Sequence, residues 1–214
     1  MTILVAGVGN ELKGDDAFGL VACRHFQARK EKSSNCVFQE VGIGGIHLVQ
    51  ELMRGYDALI LFDAFDRGGD PGQIWLLEPE LPEIDLMSDR EKRDFFADVH
   101  YATPVRALTL AKSVGALPSF VRIIGCQPSD PDSFATSMSK TVEAAVSKAV
   151  HLAIDTIEKF EEIYTQKKNP NQSEVSTDLP SKPMELDSKE PQQEDGSSES
   201  GESNDFISSF FSDS

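Results

Sequence analysis

Six apolar or small residues in a row, Ile3-Leu4-Val5-Ala6-Gly7-Val8, limit most sharply what this chain can fold into. A run with no polar position has no face for water. It predicts a strand buried on both sides, as in a parallel sheet covered by helices. Ala58-Leu59-Ile60-Leu61-Phe62 repeats the pattern.

The segments around these runs supply helices and more strands. Gly7-Val8-Gly9-Asn10 ends the first run with turn chemistry. Asp15 or Asp16 then caps a helix with Phe18, Val21, Ala22 and Phe26 on one side. Residues 36–41 predict a second strand, and Gly42-Ile43-Gly44-Gly45 a flexible loop. A short helix follows, with Ile46, Leu48, Val49, Leu52 and Met53, and Gly55 ends it. Pro71-Gly72 is a turn before a fourth strand at 73–77, whose short link to the third suggests an antiparallel or edge position. Residues 89–96 suggest a short helix within a polar stretch. Thr103-Pro104 opens the next helix, proline fitting the first turn because its missing N–H has no partner there anyway. Val105, Leu108, Ala111 and Val114 give that helix its inward face. Residues 121–125 predict a fifth strand, and 138–160 the longest helix, with Val142, Val146, Ala149, Ala153, Ile157 and Phe160 at helical spacing. Strands alternating with helices predict a three-layer α/β sandwich.

Composition bounds the partners. The net charge is −16, with 36 acidic against 20 basic residues. That balance argues against nucleic acid and anionic membranes, which select basic patches. The apolar runs fall well short of the ~20 residues of a membrane span. No basic region with a cleavage site opens the chain, so no signal peptide is expected. Cys23, Cys36 and Cys126 are odd in number and widely spaced, which suggests reduced thiols and a cytoplasmic location. Residues 1–164 form the expected domain. Residues 165–214 are acidic and rich in Ser, Glu and Pro, and are read as a disordered tail. The tail ends in Phe206-Ile207-Ser208-Ser209-Phe210-Phe211, either an ordinary terminus or a short docking motif. No sustained heptad is present, so a monomer is the default.

Ligands bind an open parallel sheet at the carboxyl ends of its strands. Asp16 lies just past the first run, Asp63 closes the third, and His100 precedes a helix that could start on the same rim. Two carboxylates and one imidazole converging there would make a metal site or an acid–base site. Plainer readings stand beside these. One of Asp15 and Asp16 could simply cap the helix, and Asp63 could be an N-cap or bond a loop. A lone His is more often structural; His25, His47 and His151 are read so. Asp66 and Asp70 read as solvated loop acids. Gly7-Val8-Gly9 suggests a dinucleotide fingerprint, but Leu12 stands where its third glycine is required. The two glycines then mark a turn needing positive φ or close backbone approach.

Taken together, several segments resemble the hydrogenase maturation endopeptidases. They are Gly7-Val8-Gly9-Asn10, Gly14-Asp15-Asp16 with Phe18-Gly19, the strand ending in Asp63-Ala64, Pro71-Gly72, His100 before a helix, and Gly125-Cys126-Gln127-Pro128. The resemblance runs in order over about residues 1–160. It implies a twisted, mostly parallel five-stranded sheet between helices, of the phosphorylase/hydrolase-like kind. It implies removal of the C-terminal extension of a nickel–iron hydrogenase large-subunit precursor after nickel insertion. It also implies that Asp16, Asp63 and His100 are catalytic and metal-binding, the nickel being carried by the substrate, with no organic cofactor. The loop 42–47 lacks the acidic residue and the Thr that family members often carry there, and Tyr101-Ala102 replaces the Gln-Leu of some members.

Hydrolysis could proceed by metal assistance or with Asp16 or Asp63 as general base, an aspartyl endopeptidase in the broad sense. Cys126 is read as packing. The alternative is a non-catalytic chaperone or scaffold for hydrogenase assembly on the same fold. A nucleotide-dependent oxidoreductase is a third, weaker reading.

Overall fold

The computed structural model describes residues 1–29, 34–96, 103–130 and 135–168. These belong to one compact unit, Met1–Asn171; a second, Gln172–Ser214, lies outside the described residues. Five strands form one sheet: β1 (Ile3–Val8), β2 (Cys36–Gly42), β3 (Ala58–Ala64), β4 (Ile74–Leu77) and β5 (Phe120–Cys126). Their order is β2-β1-β3-β5-β4, with β4 antiparallel to β5 and all other pairs parallel. The edge position of β4 is the one its short link to β3 implies. The helices are α1 (Phe18–Gln27), α2 (Gly45–Leu52), α3 (Asp89–Phe96), α4 (Pro104–Ser113) and α5 (Lys140–Lys168).

The all-apolar runs are buried because helices cover both faces. Ile3, Val5, Ile60 and Phe62 pack with Phe18, Phe26, Val146 and Ile157 of α1 and α5. Leu4, Ala6, Leu59 and Leu61 pack with Leu48, Leu52, Leu108 and Ala111 of α2 and α4. Each large side chain so buried stabilises the fold by roughly 1.5–3 kcal/mol. Among the described residues, no helix is long and apolar enough to cross a membrane.

Three expectations need correction. The inward face of α4 is Ala107, Leu108, Thr109 and Ala111, whereas Val105 and Val114 are exposed at 38% and 53%. The helix is turned so that the Thr109 hydroxyl, buried, donates back to Val105 O at 2.6 Å. The first helix is not capped by a carboxylate: a 3-10 turn, Gly14–Ala17, precedes α1, and neither start has a side-chain cap. Finally, α5 runs to Lys168, so the domain limit set at residue 164 falls within a helix. Its last turn carries Lys167 and Lys168, which suit the negative end of a helix. Lys168 lies over the Tyr164 ring at 5.0 Å.

Candidate functional site

Chain direction across the sheet reverses at β1, with β2 on one side and β3 on the other. Such a switch point leaves a crevice at the carboxyl ends of the strands. Asp16 and Asp63 both stand there. Asp63 pairs with Gly125 near the end of β3 and is 7% exposed. Strand alternation puts it on the same face as Leu59 and Leu61.

Three glycines bring Asp16 to this rim. A Cβ on Gly19 would collide with the carbonyl oxygens of Val8 and Phe62, and one on Gly7 with Gly19 O. Hence α1 begins directly against the ends of β1 and β3. Gly9 has φ +144° and no room for a Cβ beside Asp16 O. Next to it, Asn10 N donates to Asp16 O at 3.2 Å. The backbone of the 3-10 turn is thus fastened to the end of β1. Gly9 N also donates to Gly42 O at 3.2 Å, joining the turn after β1 to the last residue of β2. These contacts match the close-approach reading of Gly7 and Gly9.

Asp16 acts on Asp63 through its charge. Burial, then the nearby charge of Asp16, pushes Asp63 well above the usual carboxylate range; a hydrogen bond from Ala64 N opposes this only in part. Half-buried Asp16 is also raised, chiefly by burial, with Lys13 and the Asn10 backbone pulling the other way. Negative charge on both is costly, which is the condition a cation or a shared proton relieves. Two carboxylate donors in a partly dry crevice fit a divalent metal. Among the described residues, no group of three His, Cys, Asp or Glu stands ready to hold a metal. His100, the third member implied by the resemblance, lies outside the described residues.

The remaining candidates divide clearly. Asp15 does not face the crevice; it bonds Ser129 and Ser139. Asp66 is exposed but bonded, accepting from Gln127 Nε2 at 2.7 Å and Gly68 N at 2.9 Å, which hold it below the usual carboxylate range. Cys126 is fully buried, and burial pushes its thiol up to about 12, which fits the packing role expected of it. His25, His47 and His151 are exposed; His151 bonds Ser147 O at 2.7 Å and Arg29 at 3.1 Å.

Sequence reasoning missed the role of Gln127. Its Oε1 accepts from Arg67 N at 2.9 Å and Gly69 N at 3.1 Å, while its Nε2 donates to Asp66. One buried amide fixes the loop that leaves β3 just past Asp63. Its place at the end of β5, beside that loop in the sheet order, was the available signal.

Comparison with known proteins fits this geometry. A family model described as hydrogenase maturation protease matches residues 21–156, a span that includes Asp63 and His100. The chain is 31% identical to the hydrogenase expression/formation protein HupD of Rhizobium leguminosarum bv. viciae, over 71% of this chain and 72% of that one. A hydrogenase 2 maturation peptidase from a Thaumarchaeota archaeon superposes with TM-score 0.51 at 28% identity, covering 73% of this chain and 98% of its own. The fold also matches the hydrogenase maturating endopeptidase HybD of Escherichia coli, with TM-score 0.60 at 23% identity over 74% and 93% of the two chains.

Proposed function

Because the chain belongs to the hydrogenase maturation protease family and is a peptidase that acts in hydrogenase processing, we propose the following specific reaction. It removes the C-terminal extension of a nickel–iron hydrogenase large-subunit precursor after nickel has been inserted. Asp16, Asp63 and His100 meet the nickel that the substrate carries. The observation that carries this reading is the Asp16–Asp63 pair, two partly desolvated carboxylates at one switch point whose mutual repulsion a divalent cation would relieve.

Nickel presented by the substrate would polarise the scissile carbonyl or a water molecule. Burial and the charge of Asp16 favour the neutral form of Asp63, whereas Lys13 favours the charged form of Asp16, which is the better placed of the two to accept a proton from water. A precursor without nickel brings no cation to stabilise negative charge on both Asp16 and Asp63, so the enzyme distinguishes loaded from empty substrate. The free enzyme accordingly holds little tight metal. The work is assigned to the cytoplasm, where the free thiols of Cys23, Cys36 and Cys126 stay reduced. One chain serves one precursor.

The test is Asp63→Asn. It should abolish release of the C-terminal peptide while the melting transition survives. Unchanged release would remove Asp63 from the reacting centre.

A further inference from the structure

We propose that Asp15 is a positioning residue for the peptidase reaction, clamping the turn that carries Asp16 onto the amino end of α5. The proposal rests on the assignment of Asp16 to the reacting centre.

Asp15 is 5% exposed, rare for a carboxylate. Its Oδ1 accepts from Ser139 N at 2.6 Å; its Oδ2 accepts from Ser129 N at 2.8 Å and Ser139 Oγ at 3.0 Å. Ser139 is itself the start of α5: Glu143 N donates to Ser139 O at 2.9 Å and Val142 N to Ser139 Oγ at 3.4 Å. A single side chain therefore joins the 3-10 turn, the residues just after β5 and the first turn of α5. Gly14 N adds a second strut, donating to Ala135 O at 2.7 Å. On the other side, Asn10 N holds Asp16 O. The backbone at Asp16 is thus gripped between β1 and α5.

The anchor is a firm one. α5 has 29 residues and buries Val142, Val146, Ala149, Ala153 and Ile157 in the core. Its positive end favours a carboxylate, and hydrogen bonds to a charged acceptor are about twice as strong as neutral ones. Removing the Asp15 charge weakens the clamp, because an Asn there keeps only one acceptor oxygen for three donors, and leaves the turn freer to shift Asp16 relative to Asp63. A misplacement of about 1 Å can lower a rate about a hundredfold. A purely stabilising role predicts something else: less folded protein, with kcat per folded molecule and the place of Asp16 unchanged.

The experiment uses the full chain, a nickel-loaded large-subunit precursor, and crystal structures of the wild type, Asp15→Asn and Ser139→Ala. Asp15→Asn should lower kcat by about tenfold to a hundredfold with KM within about twofold, and move the Asp16 carboxylate by about 1 Å. Ser139→Ala removes one of the three bonds and should lower kcat by a smaller factor in the same direction. Should Asp15→Asn fail to fold, Ser139→Ala decides. A kcat within about twofold of wild type in both variants, or an unmoved Asp16, overturns the clamp. A displaced Asp16 in a chain whose wild type cleaves no precursor sustains the clamp and sinks the assigned reaction. Cleavage by the wild type with an unmoved Asp16 in the variants sinks the clamp alone.

Discussion

At the carboxyl edge of the sheet, backbone is pressed against backbone: Gly7, Gly9 and Gly19 leave no space for a Cβ, and two carboxylates share a crevice. At the amino edge the chain is looser. Gly55 has φ +85° with open space around it. Two hollows of about 250 and 180 Å³ lie there, the larger lined by Leu52, Met53, Tyr56, Val114 and Leu117, and the smaller by Phe26, Ile154 and Glu161 among others. Neither hollow holds the paired carboxylates. The contrast teaches that a site for a macromolecular substrate need not be marked by a hollow. It is marked instead by where the fold accepts steric and electrostatic strain.

The largest expected effect separates the edges by activity. Asp16→Asn should lower precursor cleavage at least about a thousandfold. Met53→Ser and Val114→Ser, both at exposed positions on the amino edge, should leave the rate within about twofold. A comparable loss from the amino-edge pair, with folding intact, would break the comparison. Next comes stability. Gly19→Ala forces a methyl into the Val8 and Phe62 carbonyls and should cost about 3 kcal/mol or more in urea unfolding. Gly55→Ala meets only its positive φ and should cost about 1 kcal/mol. Equal costs would show that the carboxyl edge is not the tighter one.

A smaller effect depends on pH. The folded value of Asp63 is raised by burial and by Asp16. The folded state therefore binds the proton more tightly than the unfolded chain, and this stabilisation is complete below the ordinary carboxylate value. It is lost as pH rises through the raised folded value. Asp63→Asn should consequently melt a few degrees higher than wild type at neutral pH, with the difference shrinking towards acid. A constant difference across the range would show that Asp63 titrates alike in the folded and unfolded chains, its folded value not being raised. The smallest effect is expected of Cys126→Ser, which should leave cleavage within about twofold because the buried thiol takes no part. Loss of cleavage in a folded Cys126→Ser protein would restore a thiol mechanism.

Much of the carboxyl edge was legible in the sequence because its determinants are local. Continuous apolar runs fix β1 and β3. The edge antiparallel β4 follows from its short link to β3, and α3 has the limits its residues suggested. That one of Asp15 and Asp16 would serve the local structure was expected, but as a helix cap, whereas Asp15 instead bonds Ser129 and Ser139. Ser139 lies 124 residues away, and no periodicity reports a contact of that range. Gln127 escaped notice likewise, because its bonds to residues 66–69 exist only once β3 and β5 pair. The inward face of α4 was misjudged because Val105 and Val114 fit the spacing, while tertiary packing chose Ala107 and Thr109 instead.

The most direct test of the central claim follows the C-terminal peptide of a large-subunit precursor by mass. The protein would be mixed with nickel-loaded and nickel-free precursor, beside His100→Ala. The account predicts release from the loaded precursor only, and none with His100→Ala. Release at the same rate from nickel-free precursor, or undiminished release by His100→Ala, would contradict it.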